Sequence, residues 1–300
     1  LQTIAKHNPN ISFIITDDLG GSLTLLPGSR PTMLFISDTL NKNLINQIDL
    51  SDLRLLITEE LSPTNLEDMS NYFMPQLTKL VLVLTEAYVG DIVNAFPNLQ
   101  ALSLFYGPYM NNVADIKNLG KLHELHIVSG DTMEIFDLKQ AQELVALTLY
   151  IEYDSCQGIG RFPKLQYLNP GNIDSDQLDS SLSLNPELVF LNLENNTVKR
   201  LSPLENIQKL EGVVLGGENT EEFDFSSLEG LPKLKHIGLP YEMDNEQELI
   251  EKIRKACPNC IIYKYDGGCL GSGWLILFIP LLVIMLMVKK VKANYRQHHV

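Results

Sequence analysis

Residues 188–210 read "LVFLNLENNTVKRLSPLENIQKL". Leu188, Leu191 and Leu193 open the stretch, Asn196 and Val198 follow, and Leu201, Leu204 and Ile207 lead to Leu210. In L-x-x-L-x-L the last two leucines are two residues apart, so both point to one face of a short strand. A lone strand cannot bury that face. A stack of such strands in register can, with each return segment closing a turn.

The same phrase recurs on either side. "MPQLTKLVL" (74–82), "FPNLQALSL" (96–104), "FPKLQYL" (162–168), "NPELVFLNL" (185–193) and "LPKLKHIGL" (231–239) share P-x-L-x-x-L. Without the proline come "GKLHELHI" (120–127), "QELVALTL" (142–149) and "QKLEGVVL" (208–215). Their first leucines are Leu77, Leu99, Leu122, Leu144, Leu165, Leu188, Leu210 and Leu234, in steps of 22, 23, 22, 21, 23, 22 and 24. Weaker copies begin at Ile11, Met33 and Leu53. Self-similarity held over this many steps marks a repeat architecture.

Across residues 11–240 the pattern resembles the leucine-rich repeat family in its class of about 22 residues. The array is irregular: only the 188–210 unit has Asn at the turn, Gly107 and Gly130 take that place in two others, and Pro170 replaces a leucine. The resemblance implies an α/β solenoid, an arc with a parallel β-sheet on its concave side. Residues 1–243 hold about eleven units, the first three irregular. Both ends of a stack expose core and need caps. Residues 244–265 are expected to supply the last one. Asn245 and Glu248 form a capping-box pair, Leu249, Ile250, Ile253 and Cys257 share a helical face, and Pro258 ends the helix.

Binding in this family usually occurs on the concave strands, at the side chains between the leucines. These are Lys79, Val81 and Val83; Ala101, Ser103 and Phe105; Glu124, His126 and Val128; Ala146, Thr148 and Tyr150. The later units present Tyr167 and Asn169; Phe190, Asn192 and Glu194; Gly212, Val214 and Gly216; and His236 with Gly238. Phe105, Tyr106, Tyr150, Tyr167 and Phe190 are the expected partner-binding aromatics, since aromatic side chains dominate interface hot spots. Ser103, Thr148, Asn169 and Asn192 are expected to orient the partner, a protein or a glycan.

Other chemistries find little support. No nucleophile elbow, phosphate loop, dinucleotide fingerprint or H-E-x-x-H occurs, so an enzyme is not expected, nor a cofactor or metal. Cys257-Pro258-Asn259-Cys260 has redox or half-zinc spacing but no second ligand pair. Packed thiols or one disulfide near the cap fit it better. The net charge is −14, and the first 268 residues carry 19 basic against 37 acidic side chains. Such a surface repels nucleic acid.

The chain closes on "DGGCLGSGWLILFIPLLVIMLMVKKVKANYRQHHV" (266–300). After a Gly-rich linker, 266–273, residues 274–288 are uncharged, and the uncharged run extends back to Cys269, enough to span a bilayer. Trp274 sits where an interfacial aromatic belongs, Pro280 is tolerated in a membrane helix, and Lys289 and Lys290 open a basic tail, 289–300. A single-pass membrane protein is expected, with the repeats extracytoplasmic and the tail cytoplasmic. Gly267, Gly268 and Cys269 with the apolar run and basic end also resemble a GlyGly-type C-terminal sorting signal, which is cleaved near the glycines. Retention and cleavage both remain open, and the alternative reading is a non-catalytic adhesion spacer with a removable tail.

Overall fold

The computed structural model describes residues 13–16, 30–36, 46, 48–61, 63–85, 89–105, 120–128, 141–150, 162–171, 182, 185–194, 196, 200–216, 224–240 and 246–265. Its centre is one sheet. The strands are β1 (Phe13–Thr16), β2 (Met33–Ile36), β3 (Leu55–Leu61), β4 (Lys79–Thr85), β5 (Ala101–Phe105) and β6 (Glu124–Val128). They continue as β7 (Ala146–Tyr150), β8 (Tyr167–Asn169), β9 (Phe190–Asn192), β10 (Gly212–Val214), β11 (His236–Pro240) and β12 (Ile261–Tyr265). All twelve lie side by side in chain order, and the pairings are parallel, as at β5–β6 and β11–β12. Each of the eleven phrases read from the sequence carries one of β1–β11. The twelfth strand comes from the closing segment, which the sequence reading treats as a helical cap.

The alternation works as the leucine spacing requires. Leu80, Leu82, Leu102, Leu104, Leu125, Ile127, Leu147, Leu149, Leu168 and Leu191 point into one continuous core and are buried. The return segments close it from the other side. In the third and fourth units they are the helices α1 (Pro63–Ser70) and α2 (Val89–Ala95), and 3₁₀ turns at Leu50–Asp52, Ser202–Asn206 and Phe225–Leu228 serve elsewhere. The helix α3 (Glu246–Ala256) buries Leu249 and Ile253 against the last turn. Asn245 lies outside the described residues.

The proline of P-x-L now has a reason. The residue before it accepts a backbone hydrogen bond from the leucine three positions on, as in Leu99→Phe96, Leu165→Phe162, Leu188→Asn185 and Leu234→Leu231. Proline is favoured at the second position of such a β-turn. Both flanking residues point into the core, so the turn is pinned by an apolar pair. Cys260 donates to Cys257 in the same turn, and the two cysteines are joined in a disulfide. The Cys-Pro-Asn-Cys spacing is therefore the repeat turn itself, with a covalent bond where other units have Phe and Leu.

Strand length varies for a local reason. Asn169 Oδ1 accepts from the Gly171 N–H at 3.3 Å, and Asn192 Oδ1 accepts from the Glu194 N–H at 2.9 Å. These side-chain turns compete with the ladder, and β8 and β9 stop after three residues. Outside the core, Glu143–Lys164 and Glu187–Lys209 pair at equivalent positions of adjacent units. Exposed pairs of this kind add little stability each, but their alternating sign favours the register.

One core position breaks the pattern. Asn185 occupies the place held by Phe96, Phe162 and Leu231, is 1 % exposed, and neither amide atom has a hydrogen-bond partner. Leaving a buried amide unsatisfied costs about 1–3 kcal/mol. Asn185→Leu, with the same number of side-chain heavy atoms, is expected to raise stability by about 1–2 kcal/mol in urea unfolding. A loss of stability would show that the amide has a structural partner after all.

Candidate functional site: the concave face

The strand registers arrange the outward side chains in rows running along the arc. The first row is Leu55, Lys79, Ala101, Glu124, Ala146, Tyr167, Phe190, Gly212, His236 and Ile261. The second begins Ile57, Val81, Ser103, His126, Thr148 and Asn169. Three zones result.

At the β3–β5 end Ile57, Val81 and Val83 form a second apolar cluster, against which Leu55 and Phe105 pack. Phe105 is half-buried here and belongs to an aliphatic patch rather than to an aromatic series. The middle zone is polar. Lys79 and Glu124 approach to 3.7 Å over Ala101, whose small side chain leaves their path clear. Beneath them lie Ser103, His126 and Thr148, all buried. Burial, with Lys79 adding repulsion, lowers the His126 pKa to about 4, so its imidazole is neutral near pH 7.

At the β8–β10 end the Tyr167 and Phe190 rings stack in parallel, with centroids 5.3 Å apart. Phe190 leans toward β10, where a Cβ on Gly212 would meet its ring at 2.7 Å. Glycine at 212 therefore makes room for the stack. Glu194 follows on the same strand side, and burial raises its carboxyl above the ordinary range while a hydrogen bond from Asn192 opposes the shift.

The structure thus brings Tyr167 and Phe190 together and sets Phe105 apart from them. It places Ser103, Thr148, Asn169 and Asn192 on the floor of the face, each no more than 6 % exposed. Asn169 and Asn192 use their side-chain oxygens on their own backbone. The more exposed polar groups of the face are Lys79 and Glu124, which sequence reasoning placed there without assigning a role. Their positions were legible from alternation, but their meeting across an intervening strand was not.

Tyr150 ends β7, and its side chain is not among those described. Tyr106, Gly267, Gly268, Cys269, Trp274, Pro280, Lys289 and Lys290 lie outside the described residues. Among the described residues no helix is long and apolar enough to cross a membrane, and no group of three or more His, Cys, Asp or Glu could hold a metal ion.

No family model matches the chain, and no curated protein matches its sequence. Solved structures do. An internalin of Listeria monocytogenes (inlF) matches with a TM-score of 0.54 at 19% identity, over 80% of this chain and 68% of that one. Internalin C2 from the same species gives 0.43 at 22% identity, over 58% and 75%. The TLR13–ssRNA13 complex gives 0.45 at 19%, over 76% of this chain and 39% of that one. The repeat geometry and the first of these matches define the class: the fold is a leucine-rich repeat solenoid.

Proposed function

We propose that this chain is a non-catalytic binding protein that holds a partner protein on its concave face while its C-terminal segment, 274–288, fixes it in a membrane. The Tyr167–Phe190 stack carries the reading. It is a preorganised aromatic pair on the concave side of the sheet, Tyr167 only 8 % exposed and Phe190 half-buried above it, and a rigid surface lowers the ordering cost of binding. Half-buried Leu55 and Phe105 and the Lys79–Glu124 pair share that face, the mix of apolar and charged groups a protein epitope needs. A glycan fits less well, because four polar side chains of the face are nearly buried. The −14 net charge disfavours nucleic acid.

The Cys257–Cys260 disulfide supports an extracytoplasmic array, since such bonds persist in oxidising compartments. The array would then sit outside, with 289–300 in the cytoplasm. The test has two parts. Protein and glycan arrays probed with the full chain should yield protein ligands, and Tyr167→Ala with Phe190→Ala should weaken them at least about tenfold. Unchanged affinity in a folded double variant would remove the aromatic pair from the binding site. Intact mass from the native membrane fraction decides the tail. Retention of 274–300 supports the anchored reading, and a mass ending near Gly267 or Gly268 supports the cleaved sorting signal and a released or re-anchored module.

A further inference from the structure

We infer that Glu194 receives a basic side chain of the partner protein, while an apolar residue of the same extended segment sits on Phe190. This rests on the concave-face reading above and adds the partner's chemistry to it. Phe190, Asn192 and Glu194 succeed one another on the outward side of β9 and its continuation, since Leu191 and Leu193 between them are buried.

Glu194 is half-buried, and its carboxylate is held in place rather than neutralised. Asn192 Oδ1 accepts from the Glu194 N–H at 2.9 Å, and the Asn192 side chain donates to the Glu194 carboxylate. Among the described residues no basic side chain pairs with it. The other carboxylate described on this face, Glu124, has Lys79 at 3.7 Å. On the flank, Glu187 and Glu211 have Lys209 and Lys235. A half-buried carboxylate has lost water without gaining a cation, and a basic group brought within about 4–6 Å reverses that imbalance.

Space for such a group is built in. Gly216 lies against the Glu194 backbone, closer than a Cβ allows. On the other side, Pro170 stands where Leu193 stands in the next unit, so Gly171, with φ 77°, takes the place of Glu194. Neither neighbour in this row has a side chain to cover the carboxylate.

Charge selects the occupant. The first 268 residues carry 37 acidic against 19 basic side chains, so a basic segment is drawn to the array and an acidic one repelled. Phe190 and Glu194 are four residues apart, about 13 Å along an extended chain. A partner segment lying extended beside them therefore has an apolar residue and an Arg or Lys about three to five positions apart.

The probe is a randomised peptide library of about twelve residues, selected on the full chain in detergent at about 0.15 M salt. Wild type is compared with Glu194→Gln, Phe190→Ala and Glu229→Gln. The last removes an exposed carboxylate from a return segment and controls for overall charge. Wild type and Glu229→Gln should enrich Arg or Lys at a fixed spacing from an apolar residue. Glu194→Gln, which keeps the size and an acceptor for Asn192, should lose the basic preference and retain the apolar one. Phe190→Ala should do the reverse. In a selected peptide, changing the basic residue to Gln should weaken binding to wild type about tenfold and to Glu194→Gln less than about twofold. Unchanged circular dichroism identifies the folded variants. An apolar preference without a basic one would overturn this inference alone, as would a basic preference that survives Glu194→Gln or has no fixed spacing. A wild type that enriches no peptide would overturn it too, because an extended segment is what it requires. Selected peptides indifferent to both Phe190→Ala and Tyr167→Ala would overturn the concave-face reading with it.

Discussion

Gly216→Ala is expected to destabilise the array by about 3 kcal/mol. A Cβ at this position would overlap the backbone carbonyl of Glu194 and its Cα, well inside van der Waals contact. Backbone cannot swing aside as a side chain can, so β9 and the segment after β10 would have to separate. In a solenoid each unit is held by its neighbours, and a gap there weakens the units on both sides. The same change elsewhere provides the scale. At Gly212 the added atom meets the Phe190 ring, which can turn, so the loss should be about 1 kcal/mol, with disruption of the Tyr167 stack. At Gly230 nothing lies within 4 Å of the new Cβ, and the change should be neutral or stabilising by about 0.5 kcal/mol. Equilibrium urea unfolding of the three variants checks the order. Equal losses at Gly212 and Gly216 would mean that backbone approach is not what requires glycine at 216.

Acid should unfold this protein through His126. Its folded pKa is about 4 against an ordinary 6.5, because burial excludes the imidazolium and Lys79 repels it. Between those values the unfolded chain takes up a proton that the native chain refuses. Stability therefore falls as pH drops from 6.5 to 4, by about 3 kcal/mol in all, and this contribution is flat outside that window. Carboxylates held low by partners, such as Glu143 beside Lys164 and Glu211 beside Lys235, lose their contribution at lower pH. Glu194 works in the opposite sense, since its raised folded pKa lets the native state take a proton first. The clean measurement is the difference between wild type and His126→Asn in urea unfolding at pH 4 to 7. That difference should change by about 3 kcal/mol across the window. Parallel curves would show that His126 takes up its proton equally in the folded and unfolded states.

Much of the architecture was readable before any coordinates. Leu188, Leu191 and Leu193, repeated at near-constant steps through Leu234, require a parallel stack because burial is a one-body matter: each leucine needs only an apolar surrounding. The outward positions follow from the same alternation, which is how Tyr167, Phe190, Lys79 and Glu124 could be placed on one face. The proline turns were visible as spelling but not as a turn with a core pair, so Cys257 and Cys260 looked like a separate motif.

The site was less legible, because it depends on which side chains meet across strands. Ser103 and Thr148 belong to the right face, yet their neighbours on adjacent strands cover them. Asn169 and Asn192 were read as partner contacts, and the structure adds that each side-chain oxygen accepts from its own backbone two residues on. Phe105 joined Val81 and Val83 instead of the later aromatics, since three units of arc and four positions along the strand separate it from Tyr167. The run from Cys269 to Val288 is the converse case: its twenty uncharged residues state their own solvent preference, independent of any fold.

By itself, then, the sequence determined the repeat, the direction of the strands, the side that is buried and the apolar character of the end. Each of these follows from periodicity and from the transfer of single side chains out of water. Tertiary structure alone decided that Lys79 reaches Glu124 over Ala101, that Tyr167 stacks on Phe190 because Gly212 makes room, that Asn185 stands unpaired in the core, and that the Cys257–Cys260 disulfide closes a repeat turn. The first two are relations between residues more than twenty positions apart, and the energies of all four depend on distances that only the stacked chain sets.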